Sequence, residues 1–247
     1  MYRPRLLSFC AALQCAASST WTPPGSLFNL STWKLQTPIA DGSGIMEVSQ
    51  PALATYNSSV FYSLDGDESA YFWTPENGAT TSGSNFPRSE LRNDYDWFAG
   101  STGRHVLNAT IRVLDDGPLN TVTIGQIHGD GLSGACSIII ELEWKGGQII
   151  AHVRDKKCKN INIVIDSGYK LGDAVTFSLS AEGTKVSAST PRTPAGAGDY
   201  DYTWLDPSVY GSQYNMYFKV GNYLQASGPS AAGSLTTLDA LYLYHGA

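Results

Sequence analysis

Residues 137–154 read SIIIELEWKGGQIIAHVR, and this stretch decides the fold class. Ser137 to Lys145 is a long run of β-branched residues interleaved with acids, and Gln148 to Arg154 is a second run rich in apolar residues. Gly146-Gly147 links them. The common two-residue hairpin turns need positive φ at one or both central positions, which glycine adopts without a steric penalty, so the stretch is expected to form a β-hairpin. Working outward, Val122 to His128 follows the turn Asp115-Asp116-Gly117-Pro118. Before it, Leu107, Ala109, Ile111 and Val113 alternate with Asn108, Thr110 and Arg112. Asn160 to Ile165, Ala174 to Ser180, Lys185 to Ser189 and Leu238 to His245 continue the series. Turn residues recur about every eight to twelve positions, the spacing of a β-sandwich or jelly roll. Helical signals are few: Ser49 to Tyr56 and Pro207 to Gln213 each have room for one or two turns. Residues 190–203, rich in Pro, Gly and Asp, read as one long loop.

The chain has 247 residues, of which 42% are hydrophobic and 15% charged, which describes a folded protein rather than a disordered one. A formal net charge of −6 argues against nucleic acid or an anionic membrane as partner, since both reward basic surfaces. It leaves room for a polyanion bound in a locally basic cleft. Arg3 and Arg5, the short apolar run Leu6 to Ala17 and the small residues around Ala17-Ser18-Ser19 read as a secretory signal over residues 1–19. That leaves one domain over residues 20–247, and no segment is long enough to span a bilayer. Cys10 and Cys15 leave with the signal. Cys136 and Cys158 then remain in an oxidising compartment, where they are expected to pair; the alternative is two buried thiols. Asn29, Asn57 and Asn108 each begin an N-x-S/T triplet. With the signal they suggest a secreted, glycosylated protein of fungal type; a monomer is expected.

Three segments carry polar faces. In Tyr217-Phe218-Lys219-Val220-Gly221-Asn222-Tyr223-Leu224-Gln225, period-two alternation puts Tyr217, Lys219, Tyr223 and Gln225 on one face and Phe218, Val220 and Leu224 on the other. Gly221 leaves room in the middle. In Arg88-Ser89-Glu90-Leu91-Arg92, both arginines and Glu90 share a face. Two guanidiniums around one carboxylate is not a core arrangement, because unpaired charge is costly to bury. A solvated edge strand is the plain alternative. Gln126 and His128 share a face about 7 Å apart, roughly the span of one sugar ring, although a lone strand histidine is more often structural.

Together RSELR, QIH and YFKVGNYLQ resemble the three signature regions of the family 7 alginate lyases and the related glucuronan lyases, in the same order. The resemblance runs from about residue 27 to the C-terminus, with Val220 where the family usually has Ala. It implies a β-jelly roll of two antiparallel sheets with a concave substrate cleft. It also implies a polysaccharide lyase acting on a β-1,4-linked polyuronate without a required cofactor. Residue by residue, the resemblance assigns Gln126 and Arg88 to the uronate carboxylate and His128 and Tyr223 to the catalytic pair. Lys219, Arg92 and Gln225 would bind neighbouring carboxylates and hydroxyls, and Glu90 would orient the arginines.

The chemistry accounts for those residue types. A lyase removes H5 of a uronate and expels the sugar at O4. H5 is a poor acid because its neighbour is an anion. Pairing that carboxylate with Arg and Gln donors lets it accept charge in an enolate-like transition state; one such donor is worth about 10²–10³ in rate and a placed acid or base about 10²–10⁴. A free phenol has a pKa near 10, so Tyr223 needs a nearby cation to act as a base. Lys219 lies about 13 Å along the strand, too far, and an arginine of RSELR is the better candidate. In glucuronate and mannuronate H5 and O4 share a ring face, so one tyrosine can serve both steps. Guluronate inverts C5 and favours His128 as a separate base. On ecological grounds the expected polymer is glucuronan, with alginate (polymannuronate) as the alternative.

Two other classes remain. A glycoside hydrolase needs two carboxylates across the scissile bond; Glu141 and Glu143 share a face, but the plain reading of that pair is a solvated sheet face. A jelly roll can also bind sugar without chemistry. The metal question stays open: a structural Ca²⁺ suits the fold, and Asp65-Gly66-Asp67-Glu68 could supply oxygens. His105, His152 and His245 lack motif partners and read as structural or surface residues. Asp94, Tyr95 and Trp97 line a subsite or pack on the sheet.

Overall fold

The computed structural model describes residues 20–98, 101–130, 137–155, 157–202 and 215–246. The hairpin forms as expected: Ile138–Lys145 pairs with Gln148–Arg154, Lys145 lies opposite Gln148, and Gly146 and Gly147 have φ of 53° and 85°. In chain order the strands are β1 (Trp21–Thr22), β2 (Trp33–Asp41), β3 (Gly44–Val48), β4 (Phe61–Leu64), β5 (Ala70–Pro75), β6 (Arg88–Asn93), β7 (Trp97–Phe98), β8 (Arg104–Asp116) and β9 (Thr121–Asp130). They continue as β10 (Ile138–Lys145), β11 (Gln148–Arg154), β12 (Asn160–Ser167), β13 (Ala174–Glu182), β14 (Lys185–Ser189), β15 (Asp199–Asp201), β16 (Asn215–Leu224) and β17 (Gly233–His245).

These strands make two antiparallel sheets. One has the order β1-β4-β5-β17-β8-β13-β14-β15, the other β12-β11-β10-β9-β16-β6-β2-β3, with β7 on β16. Their inner faces form one core: Leu91, Ile124, Ile127, Leu142, Trp144, Phe218 and Val220 of the second sheet belong to the same cluster as Phe72, Ile111, Phe177 and Leu179 of the first. Gly125 marks how closely they meet, since a Cβ there would lie 2.8 Å from the Phe177 ring. The outer face of the second sheet is left for polar side chains.

Irregularities in two strand pairings shape that face. Between β9 and β10 the register slips at Ile138–Ile140 and again at Leu142–Glu143, and across the latter Glu141 opposes Gln126 while Glu143 opposes Thr123. The extra residue in β9 turns Ile124 and Val122 inward and brings Thr123 onto the polar face beside Gln126 and His128. Between β16 and β9 a further slip falls at Gly221-Asn222. Gly221 has φ of 147°, and a Cβ there would approach the Ser89 carbonyl oxygen to 2.8 Å. The glycine is required by this bulge and by the close β6 backbone, not by space in the cleft as the sequence implied.

Other expectations meet mixed outcomes. Ser49 to Tyr56 holds one 3₁₀ turn, Ala52–Thr55. Residues 190–203 include the edge strand β15, paired with β14. Cys158 is in a disulfide; residues 1–19, Cys136 and Pro207 to Gln213 lie outside the described residues. Asn29 and Asn57 are exposed, whereas Asn108 sits mid-strand in β8, opposite Ser178 and Tyr242.

Candidate active site

Strands β6, β16, β9 and β10 lie side by side, and their registers stack the predicted residues in rows. Arg92, Lys219, Gln126 and Glu141 form one row, and Arg88, Tyr223, Thr123 and Glu143 another. Glu90 lies between them, opposite Gly221. His128 and Tyr217 form a row beyond Gln126. His128 and Tyr223 therefore flank the centre from opposite ends. The three motifs meet because β16 pairs with both β6 and β9.

Glu90 is the hub. It is 0% exposed. Its Oε2 accepts from Arg88 Nη1 at 3.2 Å and Lys219 Nζ at 3.1 Å, and its Oε1 accepts from Gln126 Nε2 at 2.6 Å. Two cations against one carboxylate leave a surplus positive charge in a desolvated place. The carboxylate also sets the Gln126 amide, because only the nitrogen end can face it.

Lys219 is 3% exposed and donates to Gln36 Oε1 at 2.6 Å besides Glu90. Burial, then the Arg88 charge, pulls its pKa down to about 8 although Glu90 opposes. It is built into the floor rather than raised from it. Gln36 is held in turn, donating to Glu47 at 2.7 Å.

Arg92 departs from its expected partner. Glu90 orients Arg88 but not Arg92, whose Nη2 donates to Asp96 at 3.1 Å and whose guanidinium lies 3.9 Å over the Tyr217 ring. Asp94 and Asp130 lie within 3.5 and 3.7 Å of it. These acids, rather than the buried carboxylate, hold its guanidinium.

The two proposed proton carriers sit in opposite states. Tyr223 lies 2.9 Å from Ser84 Oγ, with the Arg88 guanidinium 3.9 Å over its ring. Burial raises the phenol above its ordinary 10; Arg88 and the Ser84 bond pull it down and do not win. The expected arginine neighbour is present, yet the phenol keeps its proton. Ser84 also accepts from Arg88 Nη2 at 2.8 Å. His128 Nδ1 is 2.9 Å from Tyr217 Oη. Burial, then the charges of Lys219 and Arg88, drops its pKa to about 3, so the ring is neutral. Tyr217, whose own pKa burial lifts to about 12, is the hydrogen-bond partner of the histidine.

Glu141 and Glu143 are not a solvated face: each is only 8% exposed. Thr123 Oγ1 donates to Glu141 Oε1 at 2.7 Å, and burial raises the Glu141 pKa. His152 lies 3.2 Å from Glu143, and although burial pulls its pKa down, that carboxylate raises it net. His105 and His245 bond to each other at 2.9 Å. Trp97 packs on Phe218 with ring centres 4.5 Å apart, so it belongs to the core, while Tyr95 stays exposed. Asp67 accepts from the Tyr71 hydroxyl. Among the described residues, no group of three or more His, Cys, Asp or Glu side chains is placed to hold a metal ion.

A cavity of about 920 Å³ opens elsewhere, beside Arg104, Glu182, Lys185 and Tyr200 of the other sheet. It holds none of these motif residues. The charge balance and hydrogen bonding of the polar face make that face the site.

Sequence reasoning missed Ser84, Gln36 and Thr123. A model of a family described as alginate lyase matches residues 28–245. Among solved structures, alginate lyase A1-II′, a member of polysaccharide lyase family 7, is 27% identical over 90% of this chain and 98% of its own, with a TM-score of 0.78. A double variant of it in complex with substrate is 25% identical over 91% and 97%, with a TM-score of 0.79. An alginate lyase from Pseudomonas aeruginosa is 29% identical over 87% and 99%, with a TM-score of 0.73. No curated protein sequence is significantly similar to the chain.

Proposed function

The chain belongs to the alginate lyase family and is a polysaccharide lyase acting on polyuronates, and from that premise we propose that alginate is its substrate. The expectation of glucuronan rested on ecology alone. The relatives solved with product and with substrate are alginate lyases, which favours the alternative. The N-terminal signal pattern supports action outside the cell.

One observation carries the mechanism: a surplus positive charge around Glu90, flanked by an unprotonated histidine and a protonated phenol. A uronate carboxylate is drawn to Arg88 and Gln126, beside the surplus charge. Bound there, it offsets the cations that depress His128 and so raises the basicity of the ring. His128 takes H5. The C5–H electron pair becomes the C4=C5 double bond, the C4–O4 pair leaves with O4, and O4 takes the Tyr223 proton. Charge that develops on the carboxylate meets donors already in place, which is where most of such a rate gain arises.

Separate base and acid suit guluronate, whose H5 and O4 lie on opposite ring faces. Mannuronate served by Tyr223 alone would need a phenolate, which burial disfavours. Initial rates of unsaturated-product formation on polyguluronate, polymannuronate and glucuronan test the reading. The highest rate is expected on polyguluronate, then polymannuronate; glucuronan as the fastest substrate would overturn the assignment.

A further inference from the structure

Gln225 lies at the far end of the site, on the face it shares with Tyr223. Its Nε2 is 3.0 Å from Thr123 Oγ1, 3.3 Å from Glu141 Oε1 and 3.3 Å from the Tyr223 carbonyl oxygen. All three are acceptors, because the Thr123 hydroxyl proton is already given to Glu141. Turning the amide over would set its oxygen against a carboxyl group and a backbone carbonyl. The Tyr223 carbonyl accepts whatever the protonation state of Glu141. Gln225 Oε1, by contrast, has no partner among the described residues and is open to solvent.

We propose that Glu141 is a positioning residue that holds the Gln225 amide with its carbonyl oxygen outward, so that this end of the site reads a sugar hydroxyl and rejects a carboxylate. An amide oxygen accepts and cannot donate. It bonds a hydroxyl and repels a carboxylate. Glu143, two residues along β10 and equally buried, faces His152 at 3.2 Å. The polyuronate carboxylates are thus read around Arg88 and Gln126, and a ring presents a free hydroxyl at Gln225. A ring acylated at that hydroxyl offers no donor there and is disfavoured.

The inference rests on the polyuronate lyase reading, and an exchange of the two side chains tests it separately. Gln225→Glu sets two carboxylates together and is expected to lower kcat/KM by about a hundredfold or more. Adding Glu141→Gln restores a donor opposite the new carboxylate, whose other oxygen still accepts the hydroxyl. The double variant is expected within about tenfold of wild type, the worth of one neutral hydrogen bond. Were Gln225 a carboxylate donor, the exchange would point an anion at the substrate. A folded double variant still a hundredfold down overturns the proposal, whether or not Gln225→Glu alone folds. Gln225→Leu supplies a second readout. Its KM is expected to keep the wild-type salt dependence, because a neutral contact is lost; a flattened dependence would mean a charged contact was lost and would overturn the proposal. If wild type forms no unsaturated product from any polyuronate, the parent reading fails instead.

Discussion

Glu90 is enclosed, and Arg88, Lys219 and Gln126 all turn toward it. The reacting groups lie on either side of this fixed centre, and their proton states make two predictions. Tyr223→Phe keeps the ring that packs under Arg88 and removes only the proton donor. Turnover should fall by about 10²–10⁴ with polymer binding little changed in equilibrium titration; near-normal kcat would remove Tyr223 from the mechanism. His128 is neutral down to about pH 3 in the free protein. The acid limb of kcat/KM, which reports the free enzyme, should therefore lie far below the usual 6.5 of histidine, and the alkaline limb above the ordinary phenol range. A limb near 6.5 would contradict the burial and charge argument. At this scale Arg88, Glu90, Gln126, His128, Lys219 and Tyr223 were legible, since alternation put each on a polar face. Ser84 and Gln36 were not. They reach Tyr223 and Lys219 across 139 and 183 residues of chain, and nothing local marks a serine in a loop or a glutamine in WKLQTPIAD.

Strand β16 joins all three motifs, and its bulge decides how they meet. Gly221→Ala would place a Cβ against the β6 backbone at a φ that side chains rarely adopt. The expected cost is about 1–3 kcal/mol of stability in urea unfolding, together with a fall in kcat, because Tyr223 and Arg88 sit one step away. Wild-type stability would show that the strand tolerates a straightened register. The hairpin β10–β11 and the alternation of β8 were readable because each obeys one period. Strands β2 to β5 went unrecognised because their patterns are mixed; β2 pairs with β3 and β4 with β5, and distant β6 and β17 tie these pairs into the two sheets. The slip in β9 was equally silent in sequence. It decides that Thr123 rather than Ile124 joins the polar face, and it lets Glu141 be buried beside Gln225.

Across the whole molecule, two sheets share one core and only one outer face carries the chemistry. The fold class and the meeting of three motifs were legible, because period-two strands and a hairpin leave little choice of architecture. Strand order was not, since it depends on pairings between ends of the chain. Two partly buried histidines tie stability to pH. His128 and His245 have folded pKa values near 3 and 4, below the ordinary 6.5, so the unfolded chain takes up their protons first. Their contribution is present above pH 6.5 and is lost as pH falls toward 4. The urea midpoint should drop over that range, and His245→Gln should shallow the drop; an unchanged slope would remove the histidine from this role. The central claim is β-elimination on alginate. It is tested most directly by following ultraviolet absorbance of the C4=C5 double bond and new reducing ends together during digestion of alginate. Both should rise in equal molar amounts. Reducing ends without the absorbance would mean hydrolysis and would contradict the account.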